Sequence, residues 1–184
     1  MRKIIIGDVH GCYDELIALM HKIKYNRYSD QIFFVGDYTD RGTQNIAVIN
    51  FLRNLKLDVG PKCILLRGNH EEMLVDYFNH VNGYWVRQAN GGNRTLYEFD
   101  ESQFDIPSYM KFIQKHMVYY HVEPEFQLVH AGLRNDIPIE ENLPQTFVWD
   151  RSAVRYGLYD GKITIVGHTP CKKPFWFCSD KETN

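Results

Sequence analysis

A repeated pattern in the first third of the chain limits its possible folds more than any other feature. Three short apolar runs, at residues 3–6, 32–35 and 63–66, each end within two residues of a glycine. Apolar residues at helical spacing follow, as Leu16 and Met20 show after the first run. A β-α-β-α-β order of this kind predicts parallel strands joined by right-handed crossovers. We therefore expect an α/β protein whose first half forms a parallel arrangement.

The second half of the chain has a different pattern. Residues 84–99 are rich in aromatic residues and glycine, with a turn predicted at 90–93. Two sheets packed face to face, the second mixed or antiparallel, would use every predicted element. A chain of 184 residues can bury a sizeable core, and we expect a single catalytic domain over residues 1–184. The later elements are a helix at 110–115 and strands at 118–122, 126–129, 163–166 and 175–178.

Composition argues against several classes of function. The formal net charge of −2 gives no reason for broad attraction to nucleic acid or to an anionic membrane. No apolar stretch approaches the roughly 20 residues that span a bilayer. The four cysteines form no Cys-x-x-Cys pair, which favours reduced thiols over a structural zinc site. We expect a cytoplasmic protein without nucleic-acid or membrane partners, and the sequence leaves its oligomeric state open.

Residues of the types that bind metal ions follow the predicted strands. In open α/β sheets, ligands bind beyond the carboxyl ends of the strands, so motifs at those ends are expected to converge. Taken singly, an Asp or Asn beside a glycine is more typical of a turn than of a metal site. Five such motifs in one small chain make a shared site the better interpretation. The motifs are GDVHG at 7–11, GDYTDRG at 36–42, RGNHE at 67–71, HAG at 130–132 and GHTP at 167–170.

The side chains in these motifs also predict the kind of metal. Imidazole and carboxylate ligands together favour zinc, iron, manganese or nickel over magnesium or calcium. Two ions roughly 3.5–4 Å apart can hold an attacking water and the oxygens of a phosphoryl group at the same time. We therefore expect a site for two divalent metal ions that is suited to phosphoester chemistry.

The five motifs, in their order from Ile4 to Pro170, resemble those of the phosphoprotein phosphatase (PPP) family of metallophosphoesterases, especially its small lambda-phosphatase-like members. The resemblance covers nearly the whole chain. It implies a four-layer α/β/β/α sandwich of two mixed sheets flanked by helices. It also implies two divalent ions, manganese first, with iron, zinc or nickel as alternatives. Members of the family usually continue into further strands, so the polar tail at 179–184 predicts that C-terminal strands are missing.

The resemblance implies a role for each motif residue. His70 resembles the general acid that protonates the leaving group, and Asp40 the carboxylate that orients its ring. Asp37 would bridge the two ions. The implied metal ligands are Asp8, His10, Asp37, Asn69, His130 and His168. The implied phosphate-binding residues are Arg41, Arg67 and Arg151. For Arg151, a surface arginine packed on Trp149 is the alternative.

On this basis we predict a phosphomonoester hydrolase that acts on phosphoserine or phosphothreonine in proteins or peptides, with phosphotyrosine as a further candidate. The reaction would be a single in-line attack by a hydroxide that bridges the metals, with His70 as general acid. The context Asp40-Arg41-Gly42, the residue Glu71 and the residue Pro170 favour this serine/threonine-type reading over related branches.

Two alternatives stay open. A dinucleoside polyphosphate hydrolase, of the diadenosine tetraphosphate type, resembles the chain in the Gly-Asp-x-His-Gly-Cys pattern of residues 7–12. A non-catalytic binding module on the same fold is the weaker alternative, because such a protein should have lost a ligand and none is missing. The aromatic residues Tyr84, Trp85 and Tyr97 either contact a peptide or pack a small cap, and packing is the commoner use of aromatic side chains.

Overall fold

The computed structural model describes residues 1–152 and 162–174, and its first sheet contains the three strands that the glycine-bounded runs predict. In this sheet all neighbouring strands are parallel and follow the order β1-β2-β3-β4. The strands are β1 (Arg2–Ile6), β2 (Asp30–Phe34), β3 (Cys63–Leu66) and β4 (Met117–Val118). The helices on this half are α1 (Tyr13–Lys22), α2 (Asn45–Val59), α3 (Asn69–Phe78), α4 (Gly92–Glu101) and α5 (Ile106–His116).

The second sheet is mixed, as predicted. It consists of β5 (Tyr120–Val122), β6 (Phe126–Val129) and β7 (Ile163–Ile165), with the short helix α6 (Pro144–Trp149) between the last two strands. Strand β6 pairs antiparallel with β5 and parallel with β7. The single strand predicted at 118–122 is two strands, because the chain leaves the first sheet after Val118 and joins the second at Tyr120.

Successive side chains along each strand point to opposite faces of the sheet, and this separates the hydrophobic core into layers. Ile32 and Phe34 of β2 join the core between the first sheet and the helices, whereas Phe33 points the other way. Phe33 packs with Phe126 and Leu128 of β6, so this second core lies between the two sheets. A third cluster joins the far side of β6 to α6. The predicted arrangement of two sheets flanked by helices is confirmed.

Helix α4 is an element that the sequence did not predict. Its residues are mostly polar, and the Asn-Gly-Gly turn signal at 90–92 hides its start. Gly92 begins the helix against Trp85, where an added Cβ would lie 2.4 Å from the Trp85 carbonyl oxygen. Close backbone contact therefore explains the glycine that sequence reasoning assigned to a turn.

Two other expectations concern the later part of the chain. The strand predicted at 175–178 lies outside the described residues, and so does the polar tail at 179–184. Within residues 1–152 and 162–174, no helix combines the length and the apolar character needed to cross a bilayer.

Candidate active site

The predicted metal ligands all lie near the carboxyl ends of strands. Asp8 and His10 follow β1, and Asp37 follows β2. Asn69 is the first residue of α3, just after β3, while His130 follows β6 and His168 follows β7. The two sheets bring these ends together, as expected for a ligand site of an α/β protein.

Asp37 stands at the centre of the site. One group of possible ligands joins it to His10 and His70, and another joins it to His130 and His168; within each group the ligand atoms lie within 4.8 Å of one another. Its Oδ2 is 3.6 Å from His10 Nε2, and its Oδ1 is 3.3 Å from His130 Nε2. This position, shared between two groups, is the one that a bridging carboxylate requires.

Asn69 and Asp8 connect the remaining ligands. The Asn69 side-chain oxygen accepts hydrogen bonds from His168 Nδ1 at 2.9 Å and from His130 Nε2 at 3.0 Å. The Asp8 carboxylate accepts the backbone N–H of His168, at 3.1 and 3.2 Å from its two oxygens. All six predicted ligands are therefore linked by direct contacts in one cluster.

The imidazole rings are held in defined orientations. His10 Nδ1 donates to the Thr39 carbonyl oxygen at 2.9 Å, and His130 Nδ1 donates to the Val35 carbonyl oxygen at 2.7 Å. These bonds direct the Nε2 atom of each ring toward Asp37. A hydrogen bond from the opposite ring nitrogen to a backbone oxygen is the usual support of a histidine that ligates a metal.

Electrostatics fit a cation at this cluster. Burial would raise the pKa of Asp37, but the charges of His130, His70 and His10 outweigh it and hold that pKa below its ordinary value. Burial opposes protonation of His130, yet Asp37 and Asp8 raise its pKa to about 9. Burial lowers the pKa of His168 to about 4. A proton on His130 thus supplies positive charge beside Asp37, and a divalent ion would have to displace it.

His70 and Asp40 form a buried pair. His70 Nδ1 donates to Asp40 Oδ2 at 2.6 Å, and both side chains are almost wholly buried. Burial lowers the pKa of His70, but the hydrogen bond to Asp40 and the neighbouring carboxylate charges raise it overall. The ring is therefore disposed to carry a proton at Nε2.

Two residues that sequence reasoning did not place in the site hold Asp40. The Trp85 indole N–H donates to Asp40 Oδ2 at 2.8 Å, and the Thr95 hydroxyl donates to Asp40 Oδ1. Trp85 is buried, as the packing interpretation predicted, but its polar end also serves the site. A buried indole N–H usually has a hydrogen-bond partner, so the sequence could indicate that Trp85 makes such a bond. It could not indicate that the partner is Asp40.

The three predicted phosphate-binding arginines differ in position. Arg41 donates to His10 Nε2 at 2.9 Å, and its guanidinium also lies 3.2 Å from His70 Nε2, beside both rings. Arg151 donates to His168 Nε2 at 3.0 Å. Arg67 instead pairs with Glu72 at 2.8 Å. Two of the arginines thus contact ligand residues, and a phosphate contact by Arg67 stays a prediction.

The backbone around the site is strained. Positive φ angles, between 45° and 75°, occur at five of the predicted site residues: His10, Asp37, Asp40, Arg41 and His168. Non-glycine residues adopt this left-handed region at a cost, and such outliers cluster at functional sites. Gly68 permits the close packing, because a Cβ there would lie 2.2 Å from Asp37 Oδ1.

Glu71 supports two of the ligand loops. Its Oε2 accepts the backbone N–H groups of Asp37 and Gly68 at 3.0 and 2.9 Å, and its Oε1 accepts that of Tyr38 at 2.9 Å. Burial, reinforced by the Asp37 charge, raises the pKa of Glu71 to about 7. Sequence reasoning used Glu71 only to distinguish related families and missed this structural role.

A two-sheet α/β fold with two imidazole–carboxylate groups that share one aspartate has the features of a binuclear metallohydrolase. The sequence pattern of the calcineurin-like phosphoesterase family, Metallophos, matches residues 1–180. The chain therefore belongs to the calcineurin-like phosphoesterase family, which consists of hydrolases that use a pair of divalent ions.

Three similar proteins illustrate the relationship. The asymmetrical bis(5'-nucleosyl)-tetraphosphatase PrpE of Halalkalibacterium halodurans is 34% identical over 95% of this chain and 80% of its own length. A symmetrical bis(5'-nucleosyl)-tetraphosphatase of Dechloromonas aromatica is 30% identical over 91% of this chain, which spans 52% of that protein. A crystal structure provisionally assigned as a diadenosine tetraphosphatase shares the fold, with a TM-score of 0.66 and 17% identity, over 90% of this chain and 74% of that chain.

These relatives correct two predictions. The predicted hydrolysis of phosphoserine or phosphothreonine is wrong, and so is the predicted phosphoprotein or phosphopeptide partner, because the relatives along most of the chain are named for dinucleoside tetraphosphates. The physical reason lies in the residues that favoured that reading. Asp40 contacts His70, and Glu71 contacts backbone N–H groups, so neither residue is placed to distinguish what a phosphate is attached to.

Replacing Asp37 tests the bridging position. We expect Asp37→Asn to bind less than one divalent ion per chain, where the wild type binds about two, because an amide offers a single neutral oxygen to two ions. Metal content after equilibration with Mn²⁺ and removal of free ion measures this. Asp100→Asn, an exposed change on α4, is the matched control and should keep the wild-type content. Equal metal content in the two variants would exclude a bridging role.

Replacing Glu71 tests its support of the loops. Glu71→Gln leaves at least one buried backbone N–H facing an amide donor, so we expect the free energy of unfolding to fall by about 1–3 kcal/mol. Urea denaturation in chelator-treated buffer measures this without a contribution from metal binding. The exposed Glu101→Gln serves as control. A Glu71 variant as stable as this control would show that the three hydrogen bonds are dispensable.

Proposed function

We propose that this chain hydrolyses dinucleoside polyphosphates in a single domain, with a pair of divalent ions in the cluster around Asp37. The proposal is carried by the relationship to a tetraphosphatase at 34% identity over 95% of the chain. The family pattern, which matches residues 1–180, includes every candidate site residue. This chain covers 80% of the asymmetrical relative but 52% of the symmetrical one. We therefore expect unequal cleavage of the phosphate chain.

In this proposal the cluster divides between the two ions. Asp8, His10 and Asp37 would hold one ion, and Asp37 with Asn69, His130 and His168 would hold the other. When bound, the ions would stabilise charge on the phosphoryl oxygens and lower the pKa of an attacking water. Manganese is the ion we would test first, followed by iron, zinc and nickel.

The chain's own groups would bind the phosphate chain and move a proton. Arg41 and Arg151, which donate hydrogen bonds to histidine ring nitrogens of the cluster, would bind phosphoryl oxygens. As the bond from phosphorus to the bridging oxygen breaks, His70 would donate its Nε2 proton to the departing phosphate. Asp40 would hold the ring through Nδ1.

A comparison of substrates tests the function. With Mn²⁺ present, we expect kcat/KM for diadenosine tetraphosphate to exceed that for a phosphoserine peptide at least tenfold. We also expect one nucleoside monophosphate and one triphosphate as products, because unequal cleavage divides four phosphates in that way. Chromatography of nucleotide products and release of inorganic phosphate provide the two rates. A faster reaction with the peptide would overturn the proposal.

A His70 variant shows whether the activity belongs to this site. We expect His70→Asn to lower kcat for diadenosine tetraphosphate by about 10²- to 10⁴-fold, the usual contribution of a positioned proton donor, while metal content persists. His21→Asn, on the exposed side of α1, is the control and should keep the wild-type rate. Near-normal turnover in His70→Asn would remove this residue from the mechanism.

A further inference from the structure

A cleft lies beside the cluster, between α3, the segment that precedes α4, and α6. Its volume is about 540 Å³, within the usual range for small-molecule sites. The residues that matter for its chemistry are Glu72, Asp76, Tyr84, Asn90 and Trp149.

Three contacts connect this cleft with the candidate active site. The Trp149 ring lies 5.9 Å from the ring of His168, nearly perpendicular to it. Glu72 pairs with Arg67 at 2.8 Å. Gly91, which follows Asn90, packs so closely on Arg41 that a Cβ would lie 2.7 Å from the Arg41 backbone nitrogen. A molecule in the cleft therefore adjoins the place where the phosphate chain would bind.

The walls of the cleft offer aromatic surface to solvent. Tyr84 and Trp149 are 51% and 41% exposed, respectively. The Tyr84 backbone is held on both sides: its N–H donates to the Asn82 side chain at 3.0 Å, and its carbonyl accepts from Asn90 at 2.7 Å. An exposed aromatic ring carried on a held backbone is suited to stacking against a nucleobase.

The charges of the cleft favour a neutral group over a second anion. The Asp76 carboxylate lines the cleft and accepts a hydrogen bond from Asn82 Nδ2 at 3.0 Å. Carboxylate oxygens only accept hydrogen bonds, so they suit the hydroxyl groups of a ribose or the amino group of a base and repel phosphate. Arg87, which also lines the cleft, lies over the Tyr84 ring, 4.2 Å from its centroid.

We infer that this cleft binds one nucleoside of the substrate, with the base stacked on Tyr84 and Trp149 and the acidic side accepting hydrogen bonds from it. The inference rests on the proposed function, and it adds the surface that recognises the nucleoside rather than the phosphate. Asp76 is the expected acceptor in this arrangement.

The test separates nucleoside recognition from catalysis. KM is measured for diadenosine tetraphosphate and for inorganic tripolyphosphate, which has the same kind of anhydride without a nucleoside. We expect Tyr84→Ala to raise KM for diadenosine tetraphosphate about tenfold, as the loss of one base–aromatic stack predicts, with a much smaller change for tripolyphosphate. Tyr84→Phe should keep the wild-type KM. Tyr97→Ala, a tyrosine 65% exposed on α4, is the matched control and should also keep it.

Binding of adenosine to the metal-free chain, followed by ligand-observed NMR, gives a second readout that needs no turnover. Adenosine binding that is lost in Tyr84→Ala and kept in Tyr97→Ala would support the cleft even if diadenosine tetraphosphate were not hydrolysed, in which case only the proposed function would fail. Normal hydrolysis, with the same KM and adenosine affinity in both variants, would overturn the cleft and leave the function intact. A Tyr84-dependent KM for a phosphoserine peptide, without one for the nucleotide, would likewise overturn it.

Discussion

The carboxylate of Glu71 is the constraint on which the site depends. It accepts N–H groups from Asp37 and Tyr38 after β2 and from Gly68 after β3, and so joins the two loops that carry the central ligands. A buried carboxylate is costly unless donors surround it, and here the donors are backbone groups that strand pairing cannot satisfy. The loop conformation and the buried charge therefore stabilise each other.

The same logic extends to His70, the proposed proton donor. Asp40 is buried and accepts from His70, Trp85 and Thr95, which come from α3, the segment before α4, and α4 itself. The strained φ angles of Asp37, Asp40 and others persist because these contacts hold them. Orientation of the ligands is thus set before any ion or substrate arrives, which is the arrangement that metal catalysis requires.

This shared core explains why the site alone is a poor guide to substrate. In the proposed mechanism His70 and Asp40 would act on a phosphoryl group whatever is attached to it. Such residues would distinguish phosphoesterases from other proteins, but not one phosphoesterase from another. Under our inference the walls of the cleft would distinguish the substrate, and the wall beside the cluster carries Tyr84, Trp149 and the acidic Asp76. A dinucleoside tetraphosphate, for which the relatives are named, would suit such a wall better than the phosphopeptide first predicted.

The sequence by itself determined the elements and residues whose signals are local. Strands β3 and β6 have the predicted bounds. The five glycine-bounded motifs contained all six candidate ligands that the structure brings together, because a buried strand, a sharp turn and the polar residue after it are neighbours in the chain. The tertiary structure alone decided that the chain changes sheets at Tyr119, that Trp85 and Thr95 hold Asp40, and that Glu71 joins two loops. Trp85 is 45 residues from Asp40 and Thr95 is 55, so their contacts arise from the way helices pack on the sheet rather than from any pattern along the chain.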